Sequence, residues 1–401
     1  MIRLLTVILS LCIGMHVCAR EVPEDWPAWL KDAMERESST KAKAKFKIAD
    51  EQISGRTKGK LIDKPQRIDD SWYFAFDVKA ESEISCWVFP ESVNTAASTV
   101  SIADNLIALQ AEQNGGLNSQ SIYTQDVYLI GSAPAMSLEW LVNMGGDHER
   151  KIGMIKVRSA LVGDSSVICE NTSVGYRDTF ATSFEYLVNN LRVQRGADPY
   201  YESIHVLSLN DIAVGFSRAT LSKDQDGDTV VSTIEATLVP VDATNVATSD
   251  STTTEYSYPS GELINQYAYE VENNSVVVEA HMQFKEDGWV VSGTFQGKEL
   301  EEQIRTEGTV WSSLGELQRT QSLVRSGKAG NLSIDMWIPG IDPLAMTSAE
   351  VSIGEDRTGM LVTGPITFAA EFDEFGDLQS GTGNVAGTLM KIESVYQSGS
   401  P

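Results

Sequence analysis

Asn331-Leu332-Ser333-Ile334-Asp335-Met336-Trp337-Ile338 alternates polar and apolar side chains up to Met336. Successive side chains of an extended chain point to opposite faces, so Leu332, Ile334, Met336 and Ile338 share one side of a strand. The same period of two runs through Trp289, Val291, Gly293 and Phe295, and again through Ile366, Phe368, Ala370 and Phe372. Many short runs of this kind predict antiparallel sheet with one face buried. One helical pattern interrupts them at Ser313–Ser326, where Leu314, Leu317, Gln321 and Val324 face together and Gly327 supplies the stop. Thr248–Thr254 is polar and is read as a loop, and Gln397–Pro401 as a flexible tail.

Upstream, Gly196-Ala197-Asp198-Pro199 marks a boundary. Before it, strands are expected at Trp72–Val78, Ile84–Phe89, Ser121–Gly131, Ala135–Met144, Lys151–Leu161 and Asp164–Glu170, with a helix at Thr95–Gln113. A closing helix places Phe180, Phe184, Leu187, Val188 and Leu191 on one stripe, as packing on a sheet requires. The fold class is therefore α+β: an α/β sandwich over 67–196, then an antiparallel half-barrel with one helix over 197–396. The order of elements in the first unit, closing on Val188-Asn189-Asn190-Leu191, resembles the PsbP-like sandwich of exported bacterial proteins. The second, with Ser313–Ser326 followed by Gly327-Lys328 and a meander, is similar to the half-barrels of periplasmic lipoprotein carriers. Both resemblances imply a fold and carry no catalytic residue with them.

Residues 1–19 read as a cleavable signal peptide: Arg3, an apolar stretch from Leu4 to Val17, then Val17-Cys18-Ala19 before Arg20-Glu21. The stretch falls short of the ~20 apolar residues that span a bilayer. Cys12 and Cys18 raise lipidation as an alternative, but Leu11 and Val17 stand where a small residue is wanted. Without Arg3 the chain has 30 basic and 56 acidic residues, a formal charge of −26, which repels nucleic acid and anionic lipid. Residues 20–37 are expected to form a short helix presenting Trp26, Leu30, Ala33 and Met34. The basic stretch 41–66 carries Lys41, Lys43, Lys45, Lys47, Arg56, Lys58, Lys60 and Lys64 against Asp50, Glu51 and Asp63. Two readings of that +5 segment stand: a solvated linker drawn onto the chain's own acidic body, or a docking strip for an acidic partner or for anionic envelope surface.

Cys86 and Cys169 remain after processing, each in a strand-like run. In an oxidising compartment they are read as a disulfide, worth roughly 4 kcal/mol on the chain-entropy model; buried free thiols are the alternative. His148, His205 and His281 lie in separate segments, and no nucleophile elbow, zinc-protease or phosphate-loop motif occurs. The sequence therefore nominates no catalytic residue, no metal ligand and no cofactor. Asp224-Gln225-Asp226-Gly227-Asp228, with Glu235 at the twelfth place, has calcium-loop spacing, but Thr229 stands where such a loop needs Gly. A hairpin turn is the expectation there, as at Asp373–Asp377. The leading functional reading is an exported, periplasmic, non-catalytic protein that binds an apolar or lipid-like ligand through Trp289, Phe295, Ile334, Met336 and Phe368. An envelope interaction module acting through residues 20–66 is the second reading, and an unrecognised hydrolase the third.

Overall fold

The computed structural model describes residues 27–48, 52–90, 94–145, 151–193, 198–286, 288–304, 306, 308–385 and 387–401. The signal stretch 1–19, Trp26 and His148 lie outside them. The described chain divides into two compact units, 27–193 with 240–246, and 198–239 with 247–401. It is a β-rich α+β protein.

The first unit opens with α1 (Trp29–Met34), β1 (Ala44–Ile48), β2 (Ile53–Thr57), β3 (Lys60–Leu61), β4 (Gln66–Ile68), β5 (Ser71–Asp77) and β6 (Ile84–Phe89). Then come α2 (Thr95–Gln113), β7 (Leu117–Ile130), β8 (Ala133–Met144), β9 (Lys151–Val162), β10 (Ser165–Asn171), α3 (Arg177–Asn190) and β11 (Arg192–Val193). The main sheet has the order β3-β5-β6-β10-β9-β8-β7, with β4 also on β5. Val167 belongs to the cluster formed with Phe180 and Phe184 of α3, while its neighbour Ile168 packs with Ala103 and Ile107 of α2. Adjacent strand residues point to opposite faces, so the two helices cover opposite sides and every residue of β10 is buried.

Cys86 and Cys169 are directly opposed across β6 and β10 and form a disulfide, with Cα atoms 4.1 Å apart. The segment 41–66, read as a basic linker, carries strands β1, β2 and β3 and the start of β4 among its described residues. β1 and β2 pair with each other and β11 joins β2. Phe46 and Ile48 point into the α3 cluster, and the Phe46 ring lies 4.5 Å from that of Phe74. Lys45 and Lys47 occupy the solvent face. The lysines follow the period of two that a half-buried strand imposes, which a count of charges does not reveal. α1 is shorter than expected, and Leu30 and Met34 are buried against Leu141 and Met154 of its own unit.

A buried ionic network fixes the approach to α3. The fully buried Lys156 of β9 donates from Nζ to the carbonyls of Ser173 and Gly175, each at 2.5 Å. Glu139 faces Lys156 across the strand pair and accepts from Arg177 Nε at 2.7 Å. Burial pulls the Lys156 ammonium down to about 8, against the attraction of Glu139.

The second unit contains β12 (Tyr201–Leu209), β13 (Ile212–Lys223), β14 (Thr229–Pro240), β15 (Val246–Ser257), β16 (Leu263–Glu272), β17 (Ser275–Lys285), β18 (Gly288–Phe295) and β19 (Lys298–Ile304). After α4 (Ser313–Arg325) follow β20 (Gly330–Trp337), β21 (Met346–Ile353), β22 (Thr358–Thr363), β23 (Ile366–Phe372), β24 (Leu378–Val385) and β25 (Thr388–Gly399). These make one 14-stranded sheet that runs from β19 back to β12, then through β25 down to β20. Pairing of β12 with β25, from Tyr201–Gly399 to Leu209–Met390, joins the two runs.

Two sequence readings need correction. Thr248–Thr254 lies within β15, where Thr248, Ser249 and Asp250 are buried, and β-branched threonine suits the extended backbone. The expected flexible tail begins inside β25, which continues to Gly399. Asp224–Asp228 and Asp373–Asp377 are hairpin turns of one design: the first Asp accepts amide hydrogens of its own turn on Oδ1, and Gly227 and Gly376 take positive φ. Glu235, the twelfth place of the calcium-loop reading, sits in mid-strand on β14.

α4 is anchored at its start. Ser312 caps Gly315 and donates to the Gly261 carbonyl, while Glu255 of β15 accepts from Ser313 N (2.6 Å) and Oγ (3.0 Å). Gly261, at φ +85°, approaches Gly315 so closely that a Cβ on it would lie 2.3 Å from the Gly315 Cα.

Two stability outcomes follow. The double variant Cys86→Ser/Cys169→Ser should lower the thermal transition of the first unit, by about 2–5 kcal/mol, and leave that of the second in place. Lys156→Met leaves two buried carbonyls without their donor and should destabilise the first unit by about 2–5 kcal/mol in urea titrations. A change below about 0.5 kcal/mol would show that Lys156 does not hold the 173–175 segment.

Candidate functional site

A row of polar side chains crosses the second unit's sheet on one face. His205 of β12 stands opposite Ser394 of β25 and Ser217 of β13, and Ser217 stands opposite Glu235 of β14. Ser217 Oγ donates to Glu235 Oε1 at 3.1 Å, and Ser251 of β15 to Glu235 Oε2 at 3.3 Å. Ser251 faces Glu270 of β16, Glu270 faces Val278 of β17, and Val278 faces Phe295 of β18. Directly opposed residues of an antiparallel pair project to the same side, so one continuous row connects β25 to β18.

Each end of the row opens into a hollow. At the His205 end a cavity of about 40 Å³ lies between Tyr201, His205, Ser217, Asp377 and the Glu316–Leu317 turn of α4. That is room for little more than water. Asp377 is buried there and accepts from Tyr201 Oη (3.0 Å), Gln321 Nε2 (3.2 Å) and Gln397 Nε2 (2.7 Å). Burial, helped by the Asp377 carboxylate, raises the Tyr201 phenol, so it stays a donor. Burial also drives the His205 imidazole down to about 4, and its Nε2 lies 3.4 Å from the Leu378 carbonyl, to which it can only donate. His205, Ser217 and Glu235 have the composition of a hydrolytic triad but not its order. Ser217 sits in the middle and commits its proton to Glu235 rather than to the imidazole.

At the other end a hollow of about 400 Å³ is lined by Glu270, Glu272, Val277, Val278, Phe295, Gln296, Gly340, Ile341, Pro365 and Ile366. Its size falls in the range of small-molecule sites, ~300–1,000 Å³. Glu270 is 8% exposed, and no hydrogen bond or ion pair reaches its carboxyl among the described residues. Burial first, then the neighbouring Glu272 and Glu235, pushes that carboxyl up to about 8.

Of the residues nominated from sequence, Phe295 lines this hollow. Trp289 is buried in the cluster that Phe295 borders, with Trp337 and Met282. Ile334 and Met336 belong to a separate cluster with Ile338 and Ala349. Phe368 is buried on β23 opposite Gly383 of β24. The five are thus not gathered in one place. Glu270, Val278 and Ile341 were not nominated. The alternation of Ala268, Glu270 and Glu272 put an acid on a buried face of β16, and that signal was available. Ile341 follows β20 in a turn and no periodicity marks it.

The ionisation of Glu270 carries a stability consequence. In the unfolded chain its carboxyl titrates near the ordinary value of about 4.3, and in the fold it keeps its proton up to about 8. Folding therefore loses stability as pH climbs through that window. Glu270→Gln should remove this loss, stabilising the second unit by on the order of a few kcal/mol near pH 8 and little near pH 4. Parallel melting-temperature profiles for the two proteins across this window would refute the assignment.

No known family model matches the sequence, and neither does any curated protein. Among solved structures, the chain is similar to a β-barrel-like protein of a domain of unknown function, DUF1849, from Brucella abortus. The identity is 11% and the TM-score 0.37, over 50% of this chain and 97% of that one. A DUF1089 family protein from Pseudomonas aeruginosa matches at 10% identity and a TM-score of 0.20, over 47% of this chain and 91% of that one.

Proposed function

We propose that this chain is an exported, periplasmic, non-catalytic binding protein whose second unit holds an apolar, lipid-like ligand between β16, β17, β18 and the turn after β20. The observation that carries the reading is the 400 Å³ hollow with Val277, Val278, Phe295, Ile341, Pro365 and Ile366 in its wall. Apolar surface of that kind around a few polar groups is the general form of a small-molecule site. Export is supported by the Cys86–Cys169 disulfide, which persists in oxidising compartments, and by the signal-like residues 1–19. Among the described residues no helix is long and apolar enough to cross a membrane.

Native mass spectrometry of the purified chain should find a small molecule bound in one copy. The delipidated protein should bind a fluorescent acyl probe saturably. Phe295→Ala, at the rim of the hollow, should weaken the probe by about tenfold, the equivalent of ~1.4 kcal/mol of lost contact. No co-purified molecule together with no saturable binding would overturn the proposal.

A further inference from the structure

We infer that the ligand of the second-unit hollow carries a protonated amine, and that the Glu270 carboxylate is the group that receives it. This rests on the binding reading above and names the chemistry of the head group. Among the described residues the wall of the hollow is apolar except for Glu270, Glu272 and Gln296, and contains no Lys or Arg. The charged group that acts on Glu270 from β14 is Glu235, and from β16 itself it is Glu272; both are acids, and no cation among the described residues acts on it. The other buried acids of the unit have donors. Glu235 has Ser217 and Ser251, Glu255 has Ser313, and Asp377 has Tyr201, Gln321 and Gln397. Glu270 has none among the described residues, although it is buried against the hollow.

A buried carboxyl without a partner carries a desolvation penalty in its charged form, which Glu270 relieves at rest by holding its proton and which a cationic ligand would offset directly. The sign of that ligand follows from its surroundings. A fatty carboxylate would bring a negative charge up to Glu272 and keep Glu270 protonated, whereas an ammonium would pair with the ionised Glu270. The resting carboxyl holds its proton up to about 8, so taking up an ammonium below that pH releases the proton to solvent. Amine affinity should then climb about tenfold per pH unit until Glu270 ionises unaided, while a neutral ligand shows no such slope.

The test is isothermal titration of the full chain with decylamine, decanol and decanoate at about pH 6 and about pH 8. Decylamine should bind at least ~tenfold tighter than decanol near pH 8, with decanoate weakest, and two buffers of different ionisation enthalpy should report proton release for the amine alone. Glu270→Gln should abolish the preference for decylamine over decanol and the proton release, and a cooperative thermal transition of the variant shows that it is folded. If that variant binds nothing, the pH slope and proton release of the unmodified chain decide the matter. Equal affinities for amine and alcohol, or decanoate binding best, would overturn the head-group assignment and leave the binding function standing. Saturable binding of none of the three would overturn both.

Discussion

The second unit rests on the pairing of β12 with β25. These are its first and last strands, and their ladder turns what would be two separate meanders into one sheet. The sheet's edges therefore fall in the middle of the unit's sequence, at β19 and β20, and the chain between those edges is the segment that carries α4. Asp377 reinforces the junction, because its three donors come from β12, α4 and β25. The polar row crosses the same junction at His205 and Ser394, so the site's geometry depends on it.

Burying acids along that row would be costly if they were left to themselves, since each loses its hydration. Serines directly opposite in the ladder supply the compensation, and the spacing of strands sets which serine meets which carboxylate. Within such a network each unpaired member is costly. Glu270 stands where the row passes from polar to apolar neighbours, with Ser251 on one side and Val278 on the other. The hollow opens at that change of chemistry.

Much of the architecture was legible in the residues. Ile84–Phe89 and Thr95–Gln113 were read with the boundaries that the structure shows, because apolar residues recur there at periods of two and of nearly four. The Cys86–Cys169 bridge followed from two strand cysteines and a compartment argument. Local polarity misled in two places. Lys45 and Lys47 looked like part of a charged linker although Phe46 and Ile48 between them are core, and Thr248–Thr254 looked like a loop because its buried face is itself polar. The site was less legible still. It is assembled across eight strands by register, and register is a relation between segments that no window along the chain contains.

The β12–β25 ladder also has a consequence for how the protein is made. Tyr201 and Gly399 are neighbours in space and nearly two hundred residues apart in the chain. The hairpins from β12 to β19 have local partners and can form as they emerge, but the far side of β12 has nothing to pair with until β25 has been synthesised. Contacts of such long range are slow to close, and an exposed strand edge is prone to meet the wrong partner in the meantime. The buried acids and serines of β13, β14 and β15 then take on a second use. Before closure they keep one face of the waiting sheet polar, which disfavours adhesion between unfinished chains.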